Sequence, residues 1–188
     1  MKNIFKTNRI FTLIALFILT FTLFSCQRDD AAEDDLPQEE LTNIVLNVKN
    51  LSTQETISYN YSIGAGSLPD IKLVDGDSYE VRTVFMNGSE DVTQEIKDAK
   101  DEHFLIFDFP RSQITLTRLD TSESTGINGK VGLITQWDVV KTVDSPSPLL
   151  QLTLIHEPAS ASESQNGTAW GSVTGGETDA EATFGLTN

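Results

Sequence analysis

From Leu41 onward, apolar residues recur at every second position, and this constrains the fold more than any other feature of the chain. Ile57, Tyr59, Tyr61 and Ile63 alternate with Ser58, Asn60 and Ser62, the period of a strand with one face buried and one face wet. The same period returns in Ile44, Leu46, Val48; in Tyr79, Val81, Thr83, Phe85; in Leu105, Phe107, Phe109; and in Ile114, Leu116. It continues in Val131, Leu133, Thr135, Trp137, Val139; in Leu150, Leu152, Leu154; and in Ala182, Phe184, Leu186. With a short segment over Ile71–Val74, the pattern predicts about nine strands. Turn-formers separate them, among them Gly64-Ala65-Gly66, Asp75-Gly76-Asp77 and Asn87-Gly88. Short strands at this spacing predict an all-β fold, an antiparallel Ig-like β-sandwich.

Two segments depart from the alternation. Between Asp91 and Glu102, Val92, Ile96 and Ala99 fall at helical spacing, and Asp91 with Gln94 has the form of a capping box. One helix of about three turns is expected there. Residues 157–178 are rich in Ser, Gly and Ala around Trp170 and read as a long loop, as do the residues about Pro146 and Pro148.

Charge bears on partners. With 28 acidic against 13 basic side chains the chain carries net −15, which argues against nucleic acid, because phosphate recognition needs a basic surface.

The N-terminus carries an address. Lys2, Lys6 and Arg9 precede an uncharged apolar run from Ile10 to Phe24, the n-region and h-region of an export signal, and the run is short for a bilayer span of about 20 residues. It ends in Leu23-Phe24-Ser25-Cys26, which resembles the lipobox of bacterial lipoproteins. The resemblance implies cleavage before Cys26, attachment of a diacylglyceryl group to its thiol and acylation, palmitate included, of the new N-terminus. Residues 1–25 are then a signal peptide. Taking their three basic residues from 13 leaves 10 against 28, a net −18. Cys26 is the sole cysteine, so the body must hold together without a disulfide.

Gln27-Arg28-Asp29-Asp30 follows the cysteine and resembles the export signal of surface-exposed Bacteroidetes lipoproteins. That implies an outer-membrane protein facing the cell exterior. Residues 26–40 read as an acidic, solvated tether, and residues 41–188 as the β-sandwich domain.

Enzyme signatures are missing. No Gly-x-Ser-x-Gly elbow, phosphate loop, His-Glu-x-x-His or Cys-x-x-Cys occurs, and Gly64-Ala65-Gly66 and Asp75-Gly76-Asp77 lack the rest of a dinucleotide or calcium site. The expectation is a protein that is not an enzyme. The chemistry-bearing residues that remain are the two histidines. His103 has the parity of Leu105, Phe107 and Phe109, and His156 that of Leu150, Leu152 and Leu154, so each belongs to the apolar face at one end of its strand. Asp101 and Glu102 precede the first, Glu157 follows the second, and Glu177, Asp179 and Glu181 lie further on. If the strand ends meet, His103, His156, Glu102 and Glu157 would offer an N/O site for zinc or another divalent metal. The plainer alternative is that each imidazole caps the core rim through a backbone hydrogen bond.

The Asp-Glu-His stretch before an aromatic strand, the late strand ending in His156 and the run Gly176-Glu177-Thr178-Asp179 into the last strand together resemble small Bacteroidetes lipoproteins that accompany TonB-dependent receptors. The resemblance implies an outer-membrane binding module capturing a divalent metal or small solute for such a receptor. The other reading is a structural or protein-interaction module with no ligand pocket, since sandwiches host many such roles. A serine hydrolase using one of the histidines is the third.

Overall fold

The computed structural model describes residues 41–143 and 147–188, and these fall in one compact unit, Leu36–Asn188. The expected lipidation site Cys26, the expected signal peptide and tether, and Pro146 lie outside the described residues. Two sheets pack into an all-β sandwich of the Ig-like kind. The first has the order β2 (Thr56–Ser62), β1 (Asn43–Asn50), β4 (Ser78–Asn87), β10 (Ile134–Lys141), β7 (Gln113–Arg118), with the two-residue β5 (Glu90–Asp91) beside the end of β4. The second has the order β12 (Ser160–Asn166), β13 (Ala169–Thr174), β6 (His103–Asp108), β11 (Leu149–His156), β14 (Glu177–Thr187), β3 (Asp70–Lys72). All neighbours within these two sheets are antiparallel except β14 and β3. A small ribbon joins β8 (Thr125–Gly126) to β9 (Gly129–Lys130).

The alternation in the sequence becomes the inner faces of the sheets. Ile44, Leu46, Val81, Phe85, Leu105, Phe107, Trp137, Leu150, Leu154 and Phe184 are buried in one core. Trp137 lies at its centre, edge-on to Phe109 with ring centroids 5.3 Å apart and to Phe107 at 6.4 Å, and its indole N–H donates to Thr135 Oγ1 at 2.9 Å. That bond satisfies the only polar atom such a side chain brings into the core.

Two expectations are corrected. The helix, α1, spans only Thr93–Asp98. The capping box is not formed: Val92 stands at the N-cap with no side-chain hydrogen bond, while Asp91, one residue earlier in β5 opposite Met86, accepts from the first helical N–H, that of Thr93, at 2.9 Å. At the other end Ala99 leaves helical geometry and Glu102 N–H turns back to the Ala99 carbonyl, which delivers the chain into His103.

Residues 157–178 are not a long loop but contain the hairpin β12–β13. Its strand Ser160–Asn166 is almost wholly exposed, so it has no buried face to impose an apolar alternation. Pairing with β13, not burial, makes it a strand.

Candidate functional site

His103 opens β6 and His156 closes β11, and the antiparallel register places them directly opposite one another. Facing residues of such a ladder have Cβ atoms about 4.5–5.5 Å apart, so two flat side chains on the same face must stack. Their ring centroids are 5.1 Å apart and their planes 14° from parallel. His103 is 2% exposed and His156 19%.

The carboxylate that joins them is Asp179. Its Oδ2 lies 3.3 Å from His103 Nε2 and its Oδ1 3.7 Å from His156 Nδ1. By strict alternation along β14, Asp179 would share the outward face of Glu181 and Thr183, away from buried Ala180, Ala182 and Phe184. A β-bulge changes this. Opposite Leu154 stands Ala180 and opposite Ile155 stands Thr178, so the ladder skips Asp179. An extra residue re-aims side chains locally, and here the one it re-aims reaches the histidines.

Of the residues singled out for a metal, Glu102 approaches, with Oε2 3.7 Å from His156 Nε2. Glu157 is exposed, with φ at +47°, and its N–H bonds the Glu102 carbonyl at 2.6 Å. The structure thus brings His103, His156 and Glu102 together and assigns the bridging position to Asp179 where the sequence favoured Glu157. His103 Nδ1 lies 3.0 Å from the Ala99 carbonyl, and since a carbonyl only accepts, this nitrogen carries hydrogen. Among the described residues no group of three or more His, Cys, Asp or Glu side chains is arranged to hold a metal ion. Stacking gives the reason, because imidazole lone pairs lie in the ring planes and nearly parallel rings direct theirs along separate planes. At the open side His156, Glu157, Gly176 and Glu177 line a groove of about 290 Å³.

A second polar cluster has a weak signature in the sequence. Arg118 follows Ile114 and Leu116 at inward parity, a basic residue written into an apolar face. It is 3% exposed and sits where the second sheet is thinnest, since β13 and β6 are paired only at Ala169–Asp108 and Trp170–Phe107. The guanidinium fills that gap. It donates to the carbonyls of Leu105 at 2.6 Å, Val131 at 2.8 Å, Lys130 at 3.3 Å and Trp170 at 3.4 Å, and lies 4.3 Å from the Phe104 ring centroid. Burial lowers its pKa from the ordinary arginine value to about 10, opposed by the charges of Asp120 and Glu163, so at neutral pH it stays a cation. Gly132 and Gly171, both at positive φ, leave the space, for a Cβ on either would fall within 2.1 Å and 2.7 Å of the guanidinium nitrogens.

Comparison with models of known families, with curated proteins and with solved structures finds no match.

Proposed function

We propose that this protein is a lipid-anchored outer-membrane module that is held on Cys26 by acyl chains, faces the cell exterior and presents an acidic β-sandwich to a protein partner. A TonB-dependent receptor is the partner class implied by the resemblance of the N-terminal and strand-end motifs. The observation that carries an interaction module over a ligand-binding one is the closure of the histidine cluster. The ring nitrogens approach Ala99, Asp179 and Glu102, and His103 is inside the rim. Among the described residues, three grooves measure about 240, 300 and 290 Å³, the low end of ligand pockets of about 300–1,000 Å³.

A metal-capturing role is the second reading, and one observation favours it. With its Nδ1 hydrogen on a backbone carbonyl, His103 turns Nε2 toward a carboxylate, the arrangement in which an imidazole serves as a ligand while its other nitrogen is fixed by the backbone. Zinc titration of residues 36–188 beside His103→Ala, His156→Ala separates the two. Identical weak heats support the interaction module; one stoichiometric site lost in the variant replaces it with metal capture. Metabolic labelling with a palmitate analogue tests the anchor, which Cys26→Ser must abolish. Protease treatment of intact cells tests the outward face, and protection of the domain would overturn it.

A further inference from the structure

Among the described residues the two main sheet paths end in four edge strands, and three are blocked. The outer side of β7 is met by the Trp170 indole, which donates to the Ile114 carbonyl at 2.9 Å. On β12, a register irregularity between Ser162 and Gln165 disrupts the strand, and Glu163 accepts from the Lys130 N–H of β9 at 2.8 Å. The third, β3, is three residues long and carries exposed Asp70 and Lys72. Bulges, covering segments, short length and charge are the usual protections of an edge.

β2 has none of them. Thr56-Ile57-Ser58-Tyr59-Asn60-Tyr61-Ser62 contains no charge and no proline, and among the described residues it pairs on one side only, with β1. Its free side follows from the ladder. The N–H of Ile63 bonds the Thr42 carbonyl and the N–H of Asn50 bonds the Glu55 carbonyl, so the odd-numbered residues of β2 turn their backbone groups toward β1. Antiparallel alternation then turns those of Thr56, Ser58, Asn60 and Ser62 outward. The side chains of the strand are held in place. Asn43 Nδ2 donates to Asn60 Oδ1 and Ser62 Oγ at 2.9 and 2.8 Å, Ser58 donates to Asn47, and the Tyr59 hydroxyl accepts from the Lys72 N–H at 3.1 Å. The edge is thus long, extended and preorganised.

We propose that β2 pairs with β2 of a second copy, antiparallel about a two-fold axis at Tyr59, joining the two first sheets into one. This names a partner for the interaction module proposed above and rests on that reading, and the identity of the occupant follows from register and charge. Centring the pair on Tyr59 sets Thr56 against Ser62 and Ser58 against Asn60 of the other copy, so every outward residue of the strand meets an outward residue. A two-fold contact must be self-complementary in this way. A chain of net −15 repels its own copy over most of its surface, and an uncharged strand is where two such bodies approach at least cost. The contact is smaller than the roughly 1,200–2,000 Å² of a stable complex, so the dimer is weak in solution, and a shared membrane surface would raise its effective concentration.

Sedimentation velocity of residues 36–188 across a concentration series tests it, without lipid or any other protein. The expected result is reversible dimerisation with a Kd on the order of 100 µM. Asn60→Pro removes an outward N–H and leaves the β1 ladder intact, and Ser58→Lys adds charge to the edge. Each should weaken association roughly tenfold or more, and the lysine variant keeps the test valid if the proline variant misfolds. Facing positions in bonded pairs have Cα atoms about 5.5 Å apart, within disulfide range. A mixture of Ser58→Cys and Asn60→Cys should therefore cross-link efficiently on oxidation, and either variant alone poorly. A wild type that is monomeric at every concentration and yields no cross-link overturns the proposal, as does a dimer unaffected by both edge variants. Monomeric behaviour alongside capture of a different protein in cells would sink this pairing and leave the interaction module standing.

Discussion

His103 and His156 stack across the β6–β11 ladder at 5.1 Å, and a single carboxylate, Asp179, touches both. The contact is a property of register, since the two residues face each other only because β6 and β11 pair Leu105 with Leu154 and His103 with His156. It ties β14 at the rim to β11 beside it and to β6 beyond.

Asp179→Asn keeps the shape of this side chain and removes its charge. The carboxylate lies 3.3 Å from one ring and 3.7 Å from the other, and removing a charge from a partly buried polar cluster of this kind costs about 1–3 kcal/mol. The expected outcome at pH 7 is a loss of that size in urea unfolding. Glu157→Gln, in an exposed residue, should change stability by less than about 0.5 kcal/mol. Equal effects of the two would remove Asp179 from its bridging role.

Arg118→Lys keeps the charge and loses the planar fork. A lysine ammonium has three donors on a flexible stem where the guanidinium has five in a fixed plane, so carbonyls among Leu105, Lys130, Val131 and Trp170 lose their partner. Destabilisation of about 2–4 kcal/mol is expected from the unmet buried groups, read by chemical unfolding. A neutral result would show that water or backbone movement replaces the fork.

The same residue fixes a pH dependence. Below about 10 the arginine is protonated folded and unfolded, so it contributes no slope; from about 10 up to the ordinary arginine value the folded chain has released a proton that the unfolded chain keeps. Stability then rises with pH from this group. The stability difference between wild type and Arg118→Met should accordingly be flat from pH 7 to 9, measured by urea unfolding, and a slope there would mean that other titrating groups are coupled to the guanidinium.

Trp137→Ala removes the largest side chain of the core and its edge-on contacts with Phe107 and Phe109. A loss of about 3–5 kcal/mol is expected. Because the body has no cysteine to cross-link it, such a loss should leave a sizeable unfolded fraction at 37 °C, visible by circular dichroism.

The nine strands expected from alternation are β1, β2, β3, β4, β6, β7, β10, β11 and β14, because a period of two is written residue by residue wherever one face is buried. The inward face of each histidine was legible for the same reason. The hairpin β12–β13 was not, since a strand wet on both faces leaves no period to read. Nor was the shortness of α1, because Asp91 fits a helix cap locally and a strand end globally, and its pairing with Met86 decides between them.

Local chemistry therefore determined what each segment becomes and which side chains turn inward. Only the tertiary structure decided that His103 meets His156, that a bulge sends Asp179 to both, that Arg118 closes the gap beside Phe104, and that β2 is, among the described residues, the edge left open. Each of these depends on which strands lie side by side and in what register. That choice is made by contacts between residues far apart in the chain, where no short pattern records it.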